Sequence, residues 1–311
     1  MAADIHRKIL VIKLGALGDI VLALGPFAAI REHHPDAEIV LLTTAAYENF
    51  LKPCGYFDDI WIDTRPSLWQ VPTWLNLKSR LRAGGFTRVY DLQTSDRSGW
   101  YFRLFGKSLR PEWSGIARGC SHPHANPDRD FMHSIERQNE QMAMAGISHI
   151  PDARLDWVTA NTARFGLEER YALFIPGGAA HRLDKRWSAD RFSKLAQIIA
   201  DQGIQPVLLG TSGESELAEE IQTGCSAILN LCGQTDLADI AVLARGAAGA
   251  VGNDTGPVHM IAAAGCPTTV LFSAASDPAL TAPRGASVEI LQRDKLDDLS
   301  VEAVAAALRL R

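Results

Sequence analysis

Residues 247–264 constrain the fold more than any other stretch of the chain. An apolar run at 247–251 meets the polar, glycine-containing turn Gly252-Asn253-Asp254-Thr255-Gly256-Pro257, and residues 258–264 continue with helical periodicity. A strand that passes through such a turn straight into a helix is half of a parallel βαβ unit. It leaves free backbone N–H groups and the positive end of the helix dipole at the carboxyl end of the strand. An anion is the natural guest of that corner.

The same alternation of apolar runs and helical patterns extends along the whole sequence. In the first half the runs predict strands at 8–14, 38–43, 60–62 and 88–92, with helices at 20–32, 47–51 and 75–82. A Pro/His/Asn-rich stretch at 121–130 interrupts the rhythm before a helix at 134–145, and Pro151 opens an irregular segment suited to a domain boundary. The second half restarts with strands at 172–175, 206–209, 227–231, 247–251, 268–272 and 288–291. Its helices are expected at 189–201, 215–222, 237–244 and 258–264. At 311 residues the chain exceeds the usual size of one domain. The expectation is therefore an α/β protein of two Rossmann-like domains, 1–153 and 154–311, facing each other across a cleft. A closing helix at 301–310 is a candidate to cross back and brace the first domain.

Composition narrows the function classes. A hydrophobic content of 47% with 22% charged residues is that of an ordinary globular protein without low-complexity segments. The five cysteines, Cys54, Cys120, Cys225, Cys232 and Cys266, lack CxxC spacing, which argues for a reducing compartment rather than a disulfide framework. The early apolar run 9–12 is far too short to span a membrane and is broken by Lys13, so a cytoplasmic protein is expected. A net charge of −5 disfavours nucleic acid as a partner. Yet residues 61–120 hold ten Lys or Arg against four Asp or Glu, together with Trp61, Trp69, Trp74, Trp100 and Trp113. Such a surface suits an anionic glycolipid or membrane headgroups, although the same residues also fit solvated charges around a Trp-containing core.

Three segments carry candidate chemistry. Gly15-Ala16-Leu17-Gly18-Asp19-Ile20 enters a helix after the first strand, but it lacks the GxGxxG spacing, and the second strand ends Leu42-Thr43-Thr44 without a ribose-binding acid. A dinucleotide cofactor is therefore disfavoured. Asp19 is either a helix-capping carboxylate or a general base at the carboxyl edge of the sheet. The loop 176–187 follows the leading strand of the second domain; its Gly177 and Gly178 permit close backbone approach to a ligand, and Lys185 or Arg186 is placed to neutralise phosphate. Cys120, His122, His124, Asp128, Asp130 and His133 crowd a third segment, whose spacing fits no common zinc pattern. An acceptor-contacting loop and a plain surface loop are its other readings.

Taken in order, these residues resemble glycosyltransferase family 9, the bacterial heptosyltransferases of lipopolysaccharide inner-core synthesis. The match runs through Ile12-Lys13-Leu14-Gly15-Ala16-Leu17-Gly18-Asp19-Ile20-Val21 with Pro26, then Pro176-Gly177-Gly178-Ala179 with Lys185, Trp187 and Phe192. It closes with Asn253-Asp254-Thr255-Gly256-Pro257-Val258-His259, Gly265-Cys266-Pro267, Leu271-Phe272 and Asp277-Pro278. No element is specific alone; the ordered set is.

The resemblance implies a GT-B fold and an inverting, metal-independent transfer of heptose from ADP-heptose to a lipopolysaccharide core acceptor, with no cofactor beyond the sugar-nucleotide donor. It implies that Asp19 is the base and Lys185 the cation that stabilises the departing diphosphate. Gly177, Gly178, Glu214, Asp254, Thr255, Gly256 and His259 would hold the donor, Glu214 through the ribose. Gly18, Lys78, Arg80, Arg82 and His133 are the expected acceptor contacts, with no metal ligands. The partners implied are the donor, the acceptor and the cytoplasmic face of the inner membrane. The chain departs from the family at Ala179 and Ala180, where many relatives carry hydroxyls, and at Phe272-Ser273-Ala274 in place of Phe-Gly-Pro. Transfer from another nucleotide hexose, a nucleotide-sugar epimerase and a non-catalytic nucleotide-sugar-binding protein are the alternatives, the last disfavoured by the presence of both Asp19 and Lys185.

Overall fold

The computed structural model describes residues 7–178 and 183–311. The chain forms two compact units, the first ending at Ala153 and the second beginning at Arg154.

The first unit is built on a parallel sheet of β1 (Lys8–Ile12), β2 (Glu38–Thr43), β3 (Asp59–Ile62), β4 (Arg88–Asp91), β5 (Glu112–Gly115) and β6 (His122–Pro123). Their order in space is β3-β2-β1-β4-β5-β6. The second sheet comprises β7 (Tyr171–Ile175), β8 (Gln205–Leu208), β9 (Leu229–Asn230), β10 (Gly249–Asn253), β11 (Thr268–Phe272) and β12 (Val288–Gln292). Its order, β12-β11-β10-β7-β8-β9, repeats the first when counted from its own leading strand. All pairings are parallel. In each unit the strand order reverses beside the leading strand, between β1 and β4 and between β7 and β10. Loops leaving a sheet at such a switch point diverge, and ligands of open α/β sheets bind there.

Buried parallel strands explain why the sequence shows near-continuous apolar runs rather than alternation. Leu10, Ile12, Val40, Leu42 and Val89 meet Trp113 in the core of the first unit. In the second, Phe174, Leu208, Val251 and Leu271 pack with Trp187 and Phe192.

Several expectations are corrected. The helix expected at 20–32 is two helices, Leu17–Leu22 and Leu24–His33, divided at Ala23. The helix Asp96–Leu104 and the strands β5 and β6 had no counterpart in the sequence reading. The closing helix, Val301–Ala307, belongs to the second unit: Val301, Val304 and Leu308 lie in that core, and the helix packs on Ala189–Ala200. Among the described residues no helix is long and apolar enough to cross a membrane.

Candidate functional site

At the switch point of the first unit, β1 hands over to a loop in which Lys13 turns inward. Its ammonium is almost fully buried, donates to the Leu92 carbonyl at 3.0 Å and stands 3.7 Å from Asp19 Oδ1. Burial pulls the Lys13 pKa below its ordinary value, Asp19 and Asp91 oppose that shift, and Arg137 adds to it. Asp19 lies in the first turn of Leu17–Leu22, where its Oδ2 accepts from the Ala16 N–H at 3.1 Å. One oxygen therefore serves the helix start. The side chain is still 43% exposed, so the carboxylate remains reachable from solvent. Both readings of Asp19 fit this arrangement.

Gly15 is required beside it. With φ at +112°, it occupies the region that favours glycine, and a Cβ there would stand 2.7 Å from the Tyr47 ring. Leu14 is held from three sides: its N–H donates to Gln93 Oε1 at 2.7 Å, and its carbonyl accepts from Arg65 Nη2 at 2.7 Å and Thr44 Oγ1 at 3.3 Å.

Asp91, at the end of β4, is a residue the sequence reading missed. It is fully buried; its Oδ1 accepts from the Thr94 and Gln93 N–H groups at 3.0 and 3.2 Å, while Oδ2 has no hydrogen-bond partner. Burial pushes this carboxyl up to about 6 despite those bonds. A polar residue ending an apolar run at a switch point was the available signal.

The expected acceptor residues do not form one cluster. Gly18 is buried in Leu17–Leu22, a helix that packs on Ser134–Met144, and His133 caps the start of the latter by accepting from the Ile135 N–H at 3.2 Å. Lys78, Arg80 and Arg82 lie on a different element, Val71–Ala83. Arg82 donates to the Leu104 carbonyl at 2.7 Å, and Arg80 stacks over Trp61 with its guanidinium 4.2 Å from the ring centre. Of the tryptophans in the basic segment, Trp61 and Trp113 are buried, Trp74 is half-buried, and Trp69 and Trp100 are exposed.

The Cys/His/Asp segment is also dispersed. His122 Nδ1 is 2.9 Å from Ser121 Oγ, His124 faces Glu140 at 3.8 Å, and Asp130 pairs with Arg129 at 3.1 Å. Among the described residues no three His, Cys, Asp or Glu side chains converge as metal ligands do.

At the switch point of the second unit, the loops after β7 and β10 are joined by Asn253. Its amide donates to the Pro176 carbonyl at 2.7 Å and its Oδ1 accepts from the Trp187 N–H at 3.1 Å. Glu214 Oε1 accepts from the Gly178 N–H at 2.9 Å, and Oε2 accepts from the Thr211 N–H at 2.7 Å and its hydroxyl at 3.0 Å. A Cβ at Gly177 would come within 1.7 Å of Glu214 Oε1, so a side chain there would displace the Glu214 carboxylate from its place against the loop. Ala179 of the matched motif, with residues 180–182, lies outside the described residues.

Lys185 and Arg186 have separate partners. Lys185 Nζ contacts Asp254 Oδ2 at 2.8 Å, and Ser276 Oγ donates to the same oxygen at 2.8 Å. Arg186 instead donates to the Gly178 carbonyl at 2.6 Å. Thr255 precedes the helix Gly256–Ala263; Pro257 has no N–H and the Val258 N–H donates to the Thr255 carbonyl at 3.2 Å, which leaves the Gly256 N–H at the helix start, and the Thr255 hydroxyl is buried without a partner. His259, one turn on, is buried. The arrangement combines a cation, a helix-start N–H and an unsatisfied hydroxyl, the features that receive a polyanion. Ser276 was not singled out by the sequence; the departure from Phe-Gly-Pro that precedes it was.

A family model described as glycosyltransferase family 9 (heptosyltransferase) matches residues 74–304. The chain belongs to that family and is a glycosyltransferase. It is 25% identical over 292 residues to lipopolysaccharide heptosyltransferase 3 of Escherichia coli (strain K12), covering 83% of this chain and 80% of the relative. Among solved structures, the E. coli ADP-heptose lps heptosyltransferase II superposes with a TM-score of 0.78 at 22% identity, over 96% of this chain and 97% of that one. A glycosyltransferase family 9 protein from Veillonella parvula DSM 2008 gives 0.82 at 18% identity, over 97% and 96%. The fold is thus the GT-B type expected from the sequence.

Proposed function

We propose that this enzyme transfers heptose from ADP-heptose to a lipopolysaccharide inner-core acceptor with inversion at the anomeric carbon and without a metal ion. The observation that carries the reading is the Lys185 ammonium poised on Asp254 beside the helix start at Gly256, since a diphosphate leaving without a metal needs such a cation and such donors. Asp19 takes the proton from the acceptor hydroxyl. The hydroxyl oxygen then attacks the anomeric carbon from the face opposite the nucleotide, the bond from that carbon to the phosphate oxygen breaks, and ADP departs with the electron pair. Lys185 and the Gly256 N–H meet the charge that develops on it.

Glu214, already bonded to Thr211 and Gly178, is positioned to offer remaining acceptor capacity to a ribose hydroxyl. Gly177 and Gly178 let the phosphates approach the backbone. Acceptor recognition falls to the first unit, whose segment 61–120 is basic, through Gly18, His133 and the cations of Val71–Ala83, at the cytoplasmic face of the inner membrane.

The test is the mass and linkage of products formed from a panel of sugar nucleotides and truncated core acceptors, with and without EDTA. ADP-heptose as the preferred donor, an inverted linkage and activity retained in EDTA are expected. A different preferred nucleotide hexose replaces the donor assignment, and loss of activity restored by one divalent ion overturns the metal-free step.

A further inference from the structure

The turn before Val71–Ala83 and the first turns of that helix present four apolar side chains to solvent: Leu68 at 82% exposure and Trp69 at 90% in the turn, Val71 at 56% and Leu75 at 58% in the helix. The turn is hydrogen-bonded internally. The Gln70 N–H donates to the Ser67 carbonyl at 3.0 Å, the Ser67 N–H to Gln70 Oε1 at 2.7 Å, and Trp74 Nε1 to the Ser67 carbonyl at 3.0 Å. Arg97 holds its base by donating to the Pro66 carbonyl at 3.1 Å. Leu68 and Trp69 are therefore displayed by an ordered turn at a standing exposure that water disfavours.

Along the chain around them the charge has one sign. No Asp or Glu occurs between Thr64 and Tyr90, whereas Lys78, Arg80 and Arg82 follow on the adjoining helix. Among the described residues none of these three cations is paired with a carboxylate. The neighbouring helix Asp96–Leu104 packs on Val71–Ala83 and adds the exposed Trp100, with the Arg103 guanidinium 4.8 Å from its ring centre.

We propose that Leu68 and Trp69 form a wedge that inserts into the interfacial layer of an anionic lipid bilayer while Lys78, Arg80 and Arg82 lie against its headgroups. This rests on the membrane-surface part of the proposed function and names the residues that make the contact. Tryptophan favours the headgroup boundary, where one end of the ring is apolar and the other wet, and basic side chains are drawn to anionic headgroups. An unpaired, one-signed cationic rim complements a continuous negative surface. Four apolar side chains are also too few for the buried patch of a stable protein–protein interface.

The enzyme is sedimented with vesicles of phosphatidylcholine alone or mixed with phosphatidylglycerol, and tryptophan emission is followed in the parent and in Trp69→Phe, so that the difference between them reports Trp69 among the seven tryptophans. Binding to the mixed vesicles alone, with a blue shift on binding, is expected. The double variant Leu68→Ser/Trp69→Ser should lose binding by about tenfold or more, as the removal of two inserted apolar side chains requires. Its transfer rate to a water-soluble, lipid-free core acceptor should stay that of the parent, which shows the fold intact. Equal vesicle binding by parent and variant overturns the proposal, as does a parent that binds neither vesicle. Self-association of the parent that the variant lacks would assign the wedge to a second copy and also overturn it. Transfer failing with every core acceptor while wedge-dependent vesicle binding persists would remove the assigned reaction and leave the wedge standing.

Discussion

In the first unit, the loop after the leading strand buries a lysine and leaves a carboxylate half exposed; in the second, the corresponding loop closes a lysine onto a carboxylate from across the switch point. The strand order around both is the same. What differs is which charge remains available. Lys13 is committed to the Leu92 carbonyl and sits in an environment that disfavours its charge, so Asp19 is the reachable group. In the second unit Lys185 shares Asp254 with Ser276 beside the Gly256 N–H and the unpartnered Thr255 hydroxyl, and a polyanion entering there meets donors. On the proposed mechanism, one scaffold offers a proton acceptor in one copy and an anion receiver in the other, by loop content alone.

The sharpest way to break this division is Asp19→Asn. The amide oxygen can still accept from the Ala16 N–H, so the helix start is kept, but the group no longer takes a proton. Turnover should fall by roughly 10²–10⁴-fold with donor affinity nearly unchanged, because a general base acts on the barrier rather than on ground-state binding. Rate and donor Kd measured on the same preparation decide it: parental turnover removes Asp19 from the chemistry, and lost donor binding makes it a capping residue.

Next in size is Lys185→Ala, expected to lower kcat by roughly 10²–10³-fold and to weaken donor binding as well. Part of the binding loss should come from Asp254, left as an unpaired carboxylate facing the phosphates. Adding Asp254→Asn to Lys185→Ala should therefore restore donor affinity without restoring turnover. Arg186→Ala should be milder in both respects, since its guanidinium is spent on the Gly178 carbonyl. If Arg186→Ala is crippled and Lys185→Ala is normal, the anion-receiving cation is the wrong one of the pair.

The comparison also marks what a sequence discloses. Strand existence was legible because buried parallel strands are apolar on both faces, and the two glycine loops were placed on one sheet edge by counting strands. Helix Asp96–Leu104 was not, because it begins Asp-Arg-Ser-Gly and its buried aromatics, Tyr101 and Phe102, come only near its end. β5 is four residues long and contains one large apolar side chain, Trp113. Lys13 read as a break in an apolar run, because nothing local shows that a lysine will be buried against Asp19 and Leu92. The Lys185–Asp254 contact joins residues 69 positions apart, and its geometry follows only from the adjacency of β7 and β10.

Asp91 gives a stability test of the first unit's buried charge. Its folded pKa, about 6, lies above the ordinary carboxylate value of 3.8, so the native state binds the proton more tightly than the unfolded chain. Stability should then fall as pH rises from about 4 to about 6 and stay low above that. Asp91→Asn, which retains an oxygen for the Thr94 and Gln93 N–H groups, should remove this component. The variant should gain on the order of 1–3 kcal/mol over the parent at neutral pH and little or nothing near pH 4. Denaturant unfolding of both proteins at several pH values measures the difference. A gain independent of pH would mean that packing at Asp91, not its ionisation, sets the effect.

The smallest expected effect belongs to Ser276, which donates to the oxygen of Asp254 that Lys185 also contacts. Ser276→Ala removes one hydrogen bond to a charged group whose main partner remains, a loss of about 1–2 kcal/mol if the bond persists when the donor is bound. Because the hydroxyl touches the carboxylate rather than any reacting atom, it should act through the placement of Lys185: donor Kd should rise several-fold to roughly tenfold while kcat changes less. In the Asp254→Asn background the same substitution should have a smaller effect, since the acceptor it serves is no longer charged. A double-mutant cycle on donor Kd reads this coupling directly. Strict additivity would detach Ser276 from the Lys185–Asp254 pair and leave the second unit's anion receiver with one positioning contact fewer than the structure assigns to it.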